Sequence, residues 1–292
     1  MELAWLEDFA ALAEHKSFVR AANARHITQP AFSRRIRSLE QWMGVALFTR
    51  TPQGTRLTDA GHHVHAGMLE ASQTLYALRA RAQAVAGHAA KTLQFAATHS
   101  LSFTFFPRWI RRIDASPVAS IQLHSDTMAG CERLLIEGKA HFLLSYRDPL
   151  ADSLFPAKYY ERCIIGKDWL IALVGKDLKR RHHDFFPYLA YSESSGLGRI
   201  IDDYPIDDKV RELILPAHFT SHSAAVSMSM ALQNKGLAWL PKSLVEQEIE
   251  EGRLVRAFNE ESDIPLEIHI VKPRLLASHF AESFWLKLAR VN

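Results

Sequence analysis

Residues 17–61 read SFVRAANARHITQPAFSRRIRSLEQWMGVALFTRTPQGTRLTDAG. Ser17 is suited to cap a short helix whose apolar side is Phe18, Ala21, Ala22 and Ile27. Ala21 and Ala22 are small, so a second helix can cross closely. Thr28 is expected to cap that second helix, with Pro30 in its first turn, where a missing N–H costs little. Phe32, Ile36 and Leu39 recur at helical spacing and face inward. Gln29, Ser33, Arg34 and Arg37 are placed on the opposite face. Glutamine can pair with adenine and arginine with guanine through two hydrogen bonds each. Val45, Leu47 and Phe48 read as a short strand, Pro52-Gln53-Gly54 as a turn and Arg56-Leu57-Thr58 as a return strand. The order helix, turn, basic helix, hairpin is what a protein needs to place one helix in the DNA major groove.

Charge agrees with that reading. From residue 16 to residue 56 there are eight cations (Lys16, Arg20, Arg25, Arg34, Arg35, Arg37, Arg50 and Arg56) and one anion, Glu40, so the segment carries 8 − 1 = +7 while the whole chain carries +3. The remainder is therefore net acidic, and the basic block is a footprint for phosphate. The expected DNA contacts are Arg20, Thr28, Gln29, Pro30, Ser33, Arg34 and Arg37, with Arg50 and Arg56 of the hairpin touching backbone or minor groove.

The run TQPAFSRRIRSLEQWMGVALFTR resembles the signature of the LysR-type transcriptional regulators. The matching residues are Phe18, Ala21, Ala22, Gln29, Pro30, Ser33, Ile36, Leu39, Glu40, Gly44, Leu47, Phe48, Arg50, Leu57, Thr58 and Gly61. The resemblance covers the chain in length and layout, and its specific motif lies in the first 61 residues. It implies an α/β chain with a winged helix-turn-helix domain at 1–60, a linker and dimerisation helix at 61–88, and an effector-binding domain at 89–292.

The residues beyond the motif read compatibly. Val64, Met68, Ala71, Leu75, Leu78, Ala82 and Val85 keep an a/d repeat, which favours helix pairing between chains over packing of the helix on its own domain. A dimer lets two recognition helices read two half-sites of an imperfect palindrome. Gly87 to Lys91 form a break. LQFAA, IQLHS, AHFLLSY, DWLIALVG, PYLAYSE and LAWLP then alternate with helical stretches, which predicts an α/β fold with a mostly parallel sheet. This block resembles the effector-binding part of the same regulators, a two-lobed fold like the periplasmic binding proteins. The resemblance implies lobe one at 91–162 and 268–292 and lobe two at 166–264, with crossings near Cys163 to Gly166 and near Pro265.

In such folds ligands bind between the lobes, at the carboxyl ends of strands. That selects Thr98, Ser100, Leu101, Ser102, Thr127, Ser145 and Tyr146 on one side, and Tyr191, Ser192, Thr220, Ser221 and Ser223 on the other. For any single Ser or Thr a helix cap is the competing role. A polar turn opening a helix suits an anionic small molecule. AATHSLSFTFFP, LLSYRDPL, GLAWLP and EQEIEEGRLV are similar to segments of the hypochlorite-responsive branch, which implies oxidant sensing by methionine sulfoxide formation. The candidates are Met128, Met228 and Met230; the best-matched sensing position holds Ser223. As core residues, Met228 and Met230 would be gap-fillers.

Cys131 and Cys163 have no pair spacing, and no secretory signal is evident, so a reduced, cytoplasmic protein is expected. His62, His63 and His65, and His182 and His183, lack metal-ligand spacing, so neither metal nor cofactor is expected. No apolar run approaches the ~18 residues of a membrane span. The expected partners are double-stranded DNA, a small-molecule effector or oxidant, and further copies of the chain, as homodimer or homotetramer. Two rivals remain. A solute-binding protein does not account for the basic first domain. An enzyme would need a grouped nucleophile, base and orienting residue, and no motif supplies them.

Overall fold

The computed structural model describes residues 2–52, 54–85, 92–113, 120–147, 155, 157–181, 185–276 and 278–291, except the side chains of residues 73, 77, 80, 81, 83–85, 181 and 289–291. The chain forms two compact units, residues 1–83 and 84–292. The Gly87–Lys91 break, Gln53 of the turn, and His182 and His183 lie outside the described residues.

In the first unit, α1 (Leu3–His15), α2 (Phe18–Ala24) and α3 (Gln29–Met43) pack through Ala11, Leu12, Ala21, Ala22, Phe32 and Ile36. Ser17 caps α2 by accepting the Arg20 N–H at 3.4 Å. Thr28 stands at the N-cap of α3 but its hydroxyl makes no capping bond. The second helical residue, Pro30, lacks one of the two N–H groups such a cap would bind.

The hairpin is β1 (Phe48–Thr51) paired antiparallel with β2 (Gly54–Leu57). The strand starts later than Val45 because Glu40 holds the preceding loop. Its carboxylate accepts the N–H groups of Leu47 at 2.8 Å and Phe48 at 3.1 Å. At the hairpin tip Gly54 has φ +128°, and a Cβ there would come within 2.6 Å of the Lys16 carbonyl. Only glycine lets the wing seat this closely against the α1–α2 turn, where Thr55 N–H donates to the same carbonyl at 2.9 Å.

Helix α4 (Asp59–Val85) begins before Gly61, with the Thr58 hydroxyl accepting the Gly61 N–H at 3.0 Å. Its apolar stripe divides. Val64, Met68 and Ala71 pack on the unit's own core with Leu6, Phe9, Leu39 and Leu47. Leu75 and Leu78 are 43% and 54% exposed. The a/d pattern thus backs an intramolecular core over its first half, and its two leucines beyond are exposed.

The second unit runs β3 (Thr92–Thr98), α5 (His99–Thr104), α6 (Phe106–Arg112), β4 (Ser120–Asp126), α7 (Met128–Ile136), β5 (Phe142–Arg147), β6 (Tyr160–Gly175) and α8 (Lys176–Arg181). It continues through β7 (Phe186–Tyr191), α9 (Gly196–Asp203), α10 (Asp208–Glu212), β8 (Ile214–Ser221), α11 (Ala224–Leu232), β9 (Ala238–Pro241), α12 (Lys242–Glu250), β10 (Leu254–Arg256), β11 (Ile264–Pro273) and α13 (His279–Val291). The seven-stranded sheet has the order β10-β6-β11-β5-β3-β4, with β9 also on β6. It is mixed, not mostly parallel. β3 runs parallel to β4 and β5, whereas β11 is antiparallel to β5 and β6, and β6 to β9 and β10.

The antiparallel pairing has a simple origin: β6 and β11 are long strands that carry the chain from one end of the sheet to the other and back. We refer to the β3–β4–β5 end as lobe one. Lobe two is the β9–β10 end with the parallel pair β7–β8. The crossing near Gly166 is continuous strand, with a register shift opposite Ile268 and His269. An aromatic cluster fills lobe one, where Phe95 lies 5.1 Å from Phe106, 5.2 Å from Phe142 and 5.7 Å from Phe284 of α13, between ring centres.

Candidate functional site

Helix α3 presents two faces. Phe32, Ile36 and Leu39 are at most 1% exposed, while Arg34 and Arg37 project to solvent. Gln29 is half-buried, and its amide donates to the Ser33 hydroxyl at 2.8 Å. Ser33 is buried, not on the exposed face, because it lies beside Phe32 on the inner half of the helix. Its hydroxyl takes up the Gln29 amide. Thr28, Pro30 and Arg20 are exposed around the start of the face. On the wing, Arg56 is exposed and the Arg50 guanidinium lies 5.5 Å from the Phe18 ring centre.

Two cations of the basic block are engaged by acidic side chains of the same unit. Arg25 donates to Asp8 at 2.9 Å and also pairs with Glu7; Arg35 reaches Asp8 at 3.5 Å. Asp8 is fully buried. Burial opposes the Arg25 charge, but hydrogen bonding and attraction to Asp8 and Glu7 prevail and raise its pKa. Tyr76 of α4 donates to Glu7 as well, so α1, α2, α3 and α4 meet in one polar network. Sequence reading passed over it. The available signal was Asp8 itself, four residues before Leu12 on the apolar side of α1.

In lobe one, β3 and β4 end level, Thr98 opposite Asp126. The Thr98 hydroxyl is buried and has no hydrogen-bond partner. Ser100 is half-buried at the start of α5, and Leu101 is wholly buried core. Ser102 donates to the His99 carbonyl at 2.8 Å and meets Ser125 at 2.7 Å. Thr127 caps α7, accepting the Gly130 N–H at 3.2 Å. Ser145 is buried. The Tyr146 hydroxyl donates to Asp168 at 2.8 Å, and burial, then the nearby Asp168 charge, raise its pKa well above the ordinary tyrosine value. Asp168 also accepts Ser243 Oγ at 2.6 Å and the Ser243 N–H at 3.2 Å, tying β6 to the start of α12.

In lobe two, Tyr191 is opposite Ser221, and Ser192 N–H donates to the Ser221 carbonyl at 3.1 Å. The Tyr191 hydroxyl is taken up by the Trp239 carbonyl at 2.8 Å, and burial raises its pKa. Ser192 meets Ser194 at 3.0 Å, and Ser221 Oγ accepts the Ser223 N–H at 3.1 Å. Thr220 is exposed. Ser223 is the N-cap residue of α11, without a side-chain cap bond.

The two groups of strand ends face each other, since the rings of His99 and His222 lie 5.6 Å apart. Arg199 of α9 pairs with Glu132 of α7 at 2.9 Å. Met128 packs on Gly196, where even a Cβ would stand 3.3 Å from the methionine's own Cβ. Met228 and Met230 pack on the core of the unit.

Cys131 is buried and Cys163 half-buried. Burial, with Asp126 nearby, pushes the Cys131 thiol up to about 12, which makes it unreactive. His62 and His63 are exposed, while His65 packs 5.8 Å from Phe9, where burial and then His62 lower its pKa. Among the described residues no group of three His, Cys, Asp or Glu could hold a metal. No helix among them is long and apolar enough to cross a membrane.

A winged helix-turn-helix followed by a long helix and a two-lobed α/β unit defines a DNA-binding regulator with an effector-binding domain. Residues 3–62 match the profile described as "Bacterial regulatory helix-turn-helix protein, lysR family", and residues 86–290 match "LysR substrate binding domain". The chain belongs to the LysR family of transcriptional regulators. It is 30% identical to the HTH-type transcriptional regulator YjiE of Escherichia coli (strain K12), over 100% of this chain and 95% of that one. Similar solved structures include Vibrio fischeri DarR in complex with DNA (25% identity, TM-score 0.56, 100% of this chain and 99% of that one). Full-length HypT from Salmonella typhimurium, a hypochlorite-specific LysR-type transcriptional regulator, is another (28% identity, TM-score 0.57, 100% of this chain and 98% of that one).

Proposed function

We propose that the exposed face of α3 reads operator DNA, and that a small molecule held between the lobes switches the geometry of the bound oligomer. Gln29, Arg34 and Arg37 make the base-edge and nearby phosphate contacts. Arg20, Thr28 and Pro30 border them, and Arg50 and Arg56 anchor the wing. The observation that carries this reading is the division of α3 into a buried Phe32-Ile36-Leu39 side and an exposed arginine side. Leu75 and Leu78 supply the apolar surface for a second copy. In the cleft, Thr98, Ser100, Ser102, Thr127 and Ser145 face Ser192, Thr220 and Ser221. Leu101, Tyr146 and Tyr191 hold the walls, and Ser223 opens α11. The orphaned Thr98 hydroxyl supports this, because a buried hydroxyl without a partner is costly unless a ligand completes it. The effector acts by favouring one arrangement of the oligomer over another.

The test is operator binding by Arg34→Ala and Arg50→Ala. Arg34→Ala should cost about 1–3 kcal/mol and relax base preference at one position. Arg50→Ala should weaken all sequences alike and reduce the salt slope by about 1. Unchanged affinity in the Arg34 variant would remove α3 as the reading helix.

A second reading is oxidant sensing, supported by Met128 against Gly196. There, hypochlorite would transfer oxygen to the thioether and leave as chloride. The sulfoxide would then press on the α7–α9 contact. A footprint on the DNA upstream of its own gene, with and without a brief hypochlorite pulse, separates the two. A footprint indifferent to the pulse leaves only the small-ligand reading.

A further inference from the structure

His99 opens α5 in lobe one and His222 follows β8 in lobe two; their ring centres are 5.6 Å apart and their planes inclined by 44°. A count of protons decides which nitrogen of His99 is free. Ser102 gives its single hydroxyl proton to the His99 carbonyl at 2.8 Å. In its 2.7 Å contact with Ser125 it must therefore accept, and Ser125 donates. That spends the only proton of Ser125. So in the 3.0 Å contact between Ser125 Oγ and His99 Nδ1 the hydroxyl accepts and Nδ1–H donates. The neutral ring then carries its lone pair on Nε2, an assignment made from the network. One nitrogen donating to a fixed oxygen while the other stays basic is how metal-ligating histidines are oriented.

The spacing fits the same use. Two imidazoles on one ion, with nitrogen–metal bonds of about 2.0–2.1 Å and a tetrahedral angle, have ring centres roughly 5 Å apart. The observed separation lies a few tenths of an ångström beyond that. We propose that His99 and His222 bind a borderline divalent transition cation, zinc being the test case, and that the ion ties lobe one to lobe two. No third His, Cys, Asp or Glu joins the pair among the described residues. Water, or a donor atom of a molecule in the cleft, completes the coordination. Because the ligands come from different lobes, the ion binds only the arrangement that brings the rings together and so favours it. The site stands on ring geometry and does not require the cleft to take an organic effector.

The experiment is calorimetric titration of zinc into the full-length protein, stripped with chelator, carrying His62→Gln and His63→Gln to remove the adjacent exposed imidazoles of α4. One zinc per chain should bind. His99→Ala and His222→Ala should each weaken it at least tenfold. Ser125→Ala, which removes the acceptor of Nδ1–H, should weaken it by roughly 10–100-fold. Copper in place of zinc should show two nitrogen ligands by electron paramagnetic resonance in the parent and one in each histidine variant. These exposed or half-exposed positions leave the fold intact, which a thermal melt checks. Absence of zinc binding, or zinc affinity untouched by both histidine substitutions, overturns the site. Either result leaves the small-ligand reading of the cleft standing.

Discussion

Each unit contains a buried carboxylate on which several elements converge, and the two are satisfied differently. Asp8 in the DNA-binding unit is met by the guanidinium groups of Arg25 and Arg35. Asp168 in the effector unit is met by neutral donors: the hydroxyls of Tyr146 and Ser243 and the N–H groups of Trp169 and Ser243. The ionic network ties α1, α2 and α3 to one another. The network around Asp168, a carboxylate held by neutral donors, joins strands and a helix where the two lobes meet. Its donors carry no charge, so removing Asp168 strands no counter-ion, whereas removing Asp8 strands two guanidinium groups.

That contrast is open to direct attack. Asp8→Ala leaves Arg25 and Arg35 facing each other in a partly buried site without their shared anion. It should cost the DNA-binding unit about 3–5 kcal/mol, as breaking buried ion pairs does. Chemical denaturation of the full chain, followed by a reporter in each unit, would show the first unit melting early. Equal loss in Asp168→Asn would break the comparison. That variant, which replaces a carboxylate held only by neutral donors, should cost about 1–3 kcal/mol.

Acid should act on the effector unit through His141. Burial lowers its pKa from the ordinary 6.5 to about 4, and its Nδ1 accepts the Gln94 N–H at 3.1 Å. The unfolded ring takes up a proton as pH falls below about 6.5, whereas the folded ring resists until about 4. The associated stability is therefore intact above 6.5 and lost progressively down to 4. That loss is at most about 3 kcal/mol. His141→Gln should flatten this part of the stability–pH curve, which a series of melts would read.

The difference between the units also governed how far each was readable from residues alone. In α3 the face and its backing lie within Gln29 to Leu39, so helical period suffices to separate Arg34 and Arg37 from Phe32 and Ile36. Ser33 was misplaced because it borders the two faces and its position beside Phe32 buries it. The wing began late because a tertiary contact, Glu40 with Leu47 and Phe48, overrides strand propensity. In the effector unit, alternating strands and helices were legible, but the antiparallel course of β6 and β11 depends on pairings far apart in sequence. Tyr146 and Tyr191 illustrate the same limit. Both sit at strand ends, yet their hydroxyls are spent on Asp168 and Trp239, partners that no local spacing reveals.

The smallest expected stability effect carries the sharpest functional contrast. Thr98 Oγ1 is buried without a partner at the end of β3, whereas Ser102 and Thr127 nearby are engaged in local bonds. Thr98→Val replaces that hydroxyl by a methyl group of the same shape. Removing an unsatisfied polar atom should leave the melting temperature unchanged or raise it slightly, by the equivalent of about 1 kcal/mol or less. If the hydroxyl is held in reserve for a ligand, the variant should bind operator as tightly as the parent and respond less to effector. A clear loss of stability would instead make Thr98 part of the fixed scaffold, like Asp168. The candidate cleft would then lose the residue that most distinguishes it from a set of ordinary helix caps.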